Sequence, residues 1–182
     1  MLVRLTIQDL VRQSAGIVRV LVLSQAPRAV EGVPRHDQGI PLAFRDSLVT
    51  VTNILRQPPA DLVQDSRILI RTAQADSEAR FFIGEDALVF LAPLSSDYFE
   101  FRIPGGGDWG EDLQVFHVYG GFQGKFTIEG GIGEPLLYRP GISPVTFGAL
   151  SAQLLAKLEH DITELERFKH NRIVESEAES EH

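Results

Sequence analysis

The chain contains no cysteine, which removes disulfides, thiolate metal sites and a cysteine nucleophile together. Its stability must come from packing. Long apolar runs are also missing, since no window approaches the ~18 consecutive apolar residues that span a bilayer. The first ten residues, Met1 to Leu10, put Gln8 and Asp9 where an export signal needs an unbroken apolar stretch, so none is expected there. Positive charge is scarce: 17 Lys and Arg face 25 Asp and Glu, a formal net charge of −8. Those cations are scattered, so a phosphate backbone is repelled and nucleic acid is not an expected partner. No serine stands in a G-x-S-x-G elbow. The histidines, His36, His117, His160, His170 and His182, show no metal-ligand spacing with a third ligand nearby. No catalytic residue, metal or cofactor is therefore expected.

What is present suits one soluble domain: 182 residues, 43% hydrophobic and 23% charged, enough for a single core and an appendage. Thr6 to Ser14 spaces Ile7, Leu10 and Val11 as one face of a short helix, with Thr6 as N-cap and Gly16 as stop. Short β-branched and apolar runs follow. Gly16–Ser24 sends Val18, Val20 and Val22 to one side, and Phe44–Leu55 ends at Gln57-Pro58-Pro59. Arg67–Thr72 alternates Ile68 and Ile70 with Leu69 and Arg71, a half-buried strand. Ala87–Leu91, Tyr98–Ile103, Gln114–Tyr119 and Lys125–Ile128 complete the β set. Pro27–Pro41, which contains His36, has no period and reads as a surface loop.

A different regime opens at Ser143-Pro144, an N-cap followed by proline at the first helical position. Phe147, Leu150, Leu154, Leu158, Ile162, Leu165 and Phe168 then recur every three or four residues to about Arg172. Such a helix would measure roughly 45 Å, longer than a domain of this size is wide. Its far end, Ile162, Leu165 and Phe168, either folds back onto the domain or supplies a contact for a partner or a second copy. Glu175 to His182 is acidic and polar, and reads as a disordered tail.

Several motifs invite a chemical reading. Gly105-Gly-Gly-Asp-Trp-Gly110 matches G-x-G-x-x-G formally but precedes a strand-like segment, where a dinucleotide site needs a helix. Gly120-Gly-Phe-Gln-Gly-Lys-Phe126 lacks the Ser or Thr and the spacing of a phosphate-binding loop, so its glycines are expected to supply positive φ or a bulge at a tight corner. Asp108, Glu111 and Asp112 cluster without calcium-loop spacing. His160 and Glu164, at i and i+4, read as a solvated pair, and His117 as a half-buried sheet residue. The candidates that survive are surfaces: Trp109, Phe122 and Gln123 on glycine-flanked loops, and His36 in the Pro27–Pro41 loop.

The succession Leu10-Val-Arg-Gln-Ser-Ala-Gly-Ile-Val-Arg-Val-Leu-Val22, Leu48-Val-Thr-Val-Thr-Asn-Ile-Leu55, Ile68-Leu-Ile70, Phe82-Ile-Gly-Glu-Asp-Ala-Leu-Val-Phe-Leu91 and Gly121-Phe-Gln-Gly-Lys-Phe-Thr-Ile128 resembles the netrin and tissue-inhibitor-of-metalloproteinase-like OB-barrel group, in particular its bacterial exported members. The resemblance covers about residues 7 to 130. It implies a five-stranded Greek-key barrel with extra strands, acting as a binding or inhibitory module, and an exported or cell-envelope setting. The eukaryotic inhibitors place an N-terminal cysteine on the protease zinc, a device this chain lacks.

The expectation is thus a mainly β fold with helices: an OB-like Greek-key β-barrel with a short N-terminal helix over residues 1–142, a C-terminal helix over 143–172, and a disordered acidic tail over 173–182. Its expected role is non-enzymatic recognition of a protein or envelope component through barrel loops. The alternatives are a structural subunit that self-assembles through the C-terminal helix, and a metal-dependent hydrolase using Asp108, Glu111, Asp112 and His117.

Overall fold

The computed structural model describes residues 4–29, 43–74, 77–92, 113–134, 136–139, 142–146 and 153–180. Helix α1 (Ile7–Gln13) opens on a reciprocal capping box: the Thr6 hydroxyl accepts from the Asp9 N–H at 3.1 Å, and the Asp9 carboxylate accepts from the Thr6 N–H at 2.9 Å. These bonds from Thr6 hold the Asp9 carboxyl below its ordinary value. The helix caps at Ser14, one residue earlier than a stop at Gly16 requires, and Gly16 is already the first residue of the next strand. A side chain there would sit 2.7 Å from Pro58 Cβ, so the close approach of Pro58 demands glycine.

Among the described residues ten strands follow: β1 (Gly16–Ala29), β2 (Ala43–Arg56), β3 (Arg67–Ala73), β4 (Asp86–Leu91), β5 (Val115–Phe116), β6 (Lys125–Glu129), β7 (Ile132–Glu134), β8 (Leu136–Arg139), β9 (Ile142–Thr146) and β10 (Gln153–Leu154). Eight form one sheet in the order β10-β7-β6-β4-β1-β2-β3-β5, and β8 pairs with β9 as a separate hairpin. The sheet is mixed. β5 runs parallel to β3, and the other pairings are antiparallel.

The continuous ladders do not close into the expected barrel. Gln114–Tyr119, read from the sequence as one strand, pairs with β3 only at Val115 and Phe116. Val118 then meets Leu91 in an isolated bridge, with Ala92 N donating to His117 O and Tyr119 N to Phe90 O, before Gly120 and Gly121 turn the chain at positive φ. That turn ends the approach to β4 after one bridge. The expected Tyr98–Ile103 strand lies outside the described residues.

The period of two sorts each strand into two cores. Val18, Val20 and Val22 meet Val49, Val51, Ile68, Ile70 and Val89 on one face. On the other, Ile17, Leu88, Phe90 and Phe126 meet Leu10 and Val11 of α1 and two residues of the C-terminal helix. β4 reads as an unbroken apolar run because both its faces are buried. The half-buried reading of β3 is corrected for the same reason, since Leu69 and Arg71 are buried as well as Ile68 and Ile70.

Helix α2 spans Leu155–Ser180, so two boundaries of the expected helix and tail change. Ser143 and Pro144 lie in β9, where β8 supplies antiparallel partners from Leu136 to Arg139. Proline is compatible with a two-stranded edge, which needs no ladder donor on its outer side. A hairpin partner thus outcompetes the Ser-Pro helix signal. Leu154, counted in the helical stripe, instead pairs with Ile132 as part of β10; Phe147 and Leu150 lie outside the described residues. At the other end α2 continues through 173–180, where a disordered tail was expected.

α2 folds back onto the chain's own sheet. Leu158 and Ile162 are fully buried in the second core, Leu165 packs beside them, and Phe168 is 66% exposed. Arg56 at the end of β2 pairs with Glu166 and donates to Ser14 O at 2.7 Å, tying β2, α1 and α2 together. Ile162→Ala is expected to cost about 2–5 kcal/mol, and Phe168→Ala less than about 0.5 kcal/mol. Urea unfolding of the two variants checks this ranking, and an equal cost would mean that α2 does not dock as described.

Candidate functional site

Polar side chains gather where the first core ends. On β2, Val49 and Val51 point into that core, and the period of two places Ser47 and then Arg45 on the same face toward the strand's start. On β3 the inward pair Ile68 and Ile70 is continued by Thr72. Arg45 and Thr72 are direct cross-strand partners. On β1 the register shift between Val22 and Ser24 is followed by Gln25, whose amide donates to Ser47 Oγ at 3.0 Å and to Phe81 O at 2.7 Å. The apolar core is therefore capped at this end by a polar layer.

A cavity of about 160 Å³ opens above this layer, lined by Arg45, Thr72, Ala73, Gln74, Ala79, Arg80 and Phe81. Among the described residues its polar lining groups are two guanidiniums, a hydroxyl and an amide, with no carboxylate or histidine. Pro27–Pro41 was expected to be a surface loop. Strand β1 extends into it, to Ala29, and the remainder lies outside the described residues; β2 begins beyond it, at Ala43.

Both walls are braced by buried charge pairs. Behind β2 and β3, Arg71 grips Asp46 with two parallel bonds, Nε to Oδ1 at 2.7 Å and Nη2 to Oδ2 at 2.9 Å. The Arg71 carbonyl accepts from His117 Nδ1 at 3.1 Å, which fixes the proton of the neutral ring on that nitrogen. Burial, the largest influence, holds the His117 pKa below its ordinary value. Behind Arg80 and Phe81, the fully buried Lys125 amine pairs with Glu85, donates to Arg80 O and lies 5.0 Å from the centre of the Phe81 ring. Thr127 donates to the same Glu85 carboxylate at 2.6 Å, and Phe82 N donates to its other oxygen at 3.0 Å. Burial pushes the Lys125 pKa down, and Glu85 offsets part of that shift.

The sequence-derived contact residues do not gather here. Phe122 and Gln123 were expected on an exposed loop, yet they are 1% and 4% exposed. The reason is the turn they occupy. Gly121 would place a Cβ 2.2 Å from Ser77 O, and Gly124 one 1.7 Å from Tyr119 O, so the Gly121–Gly124 segment is a 3-10 turn pressed against its neighbours. The Gln123 side chain accepts from Leu5 N at 2.9 Å and anchors the chain's start. His36, Trp109, Asp108, Glu111 and Asp112 lie outside the described residues.

Arg45, Thr72, Gln74 and Arg80 were not singled out from the sequence. The signal was available in part, because a strand that runs Arg-Asp-Ser-Leu-Val-Thr-Val puts a charged and a hydroxyl residue on its apolar face. What a single strand could not show was that β3 and the Ala79–Phe81 segment meet it there. Among the described residues, no three His, Asp or Glu side chains are placed to hold a metal ion, and no helix is long and apolar enough to cross a membrane. No family model matches the chain, and no curated protein matches it in sequence.

Proposed function

We propose that the chain is a non-enzymatic binding module of OB-like architecture that recognises a protein or envelope component at the polar end of its sheet. Support for the architecture comes from the order β4-β1-β2-β3-β5, the parallel β3–β5 pairing and the Leu91–Val118 bridge. In an OB-like Greek key this bridge is where the fifth strand would return to the fourth. The observation that carries the functional reading is the cavity itself. Among the described residues its polar lining can donate hydrogen bonds and fix orientation, and holds no carboxylate, histidine or lysine for general acid–base work at neutral pH.

The self-assembly alternative loses part of its basis, since Ile162 is fully buried in the chain's own core. A ¹⁵N-labelled full chain titrated with neutral sugars, amines, carboxylates and phosphates tests the proposal. At least one class is expected to produce saturable shifts at Thr72, Ala73 and Gln74, with the compound recovered unchanged. Turnover of a compound, or no shifts from any class, overturns it.

A further inference from the structure

We draw no further inference here: the strongest candidate, the exposed apolar patch of Leu21 and Leu23 on β1 beside Ile83 in the Phe82–Glu85 turn, carries nothing because nothing in the structure shows what covers it.

Discussion

Asp46→Ala is expected to lower the unfolding free energy by about 3–5 kcal/mol, a fall of roughly 10 °C in Tm for a chain of this length. The size follows from what is left behind. The Asp46 and Arg71 side chains are 0% and 7% exposed and share two parallel hydrogen bonds. Removing the carboxylate strands a guanidinium away from water. Removing both charges is a different experiment, because an ion pair replaced by apolar side chains of similar volume often costs little. Asp46→Leu combined with Arg71→Met should therefore be markedly more stable than Asp46→Ala alone. Urea midpoints of the three variants decide it. A loss below about 1 kcal/mol for Asp46→Ala would mean that water reaches Arg71 and that the pair does not brace the cavity wall.

The same pair shows where sequence reading ran out. Arg71 was read as lying on the solvated side of a half-buried strand, because it takes the face opposite Ile68 and Ile70. Nothing within Arg67–Thr72 shows that an aspartate on β2 stands directly across from it, a fact of register between strands. Local signals fared better. The Thr6 cap, the inward valines of β1, the stop at Pro58-Pro59 and the turn glycines depend on neighbours within a few residues, and all are seen. The Ser143-Pro144 helix start is just as local, and it failed because Leu136–Arg139 offered the segment a strand partner. Phe122 failed for a related reason: its glycines promised an exposed loop, whereas Ser77 and Tyr119 close over it. The cavity needed three segments at once, so none of them announced it alone.

Mutation of Lys125 is expected to have the other large effect. The side chain is fully buried and lies over Phe81, while its partner Glu85 is only 6% exposed. Lys125→Ala both opens a cavity beneath Phe81 and leaves a buried carboxylate without its cation, a cost of about 3–5 kcal/mol. Lys125→Met keeps most of the stem and should be the milder change. pH separates the charge from the packing. The Lys125 pKa in the folded chain is held below its ordinary 10.5 by burial, so between the folded value and 10.5 the unfolded chain binds more protons. Stability contributed by this group is fully present above 10.5 and is lost as pH falls through the folded value. In Lys125→Met that slope disappears, so the difference in stability between wild type and variant should grow with pH toward 10.5. Urea midpoints across the alkaline range measure it. A constant difference would show that Lys125 titrates alike in both states, and that water reaches the amine beneath Arg80 and Phe81.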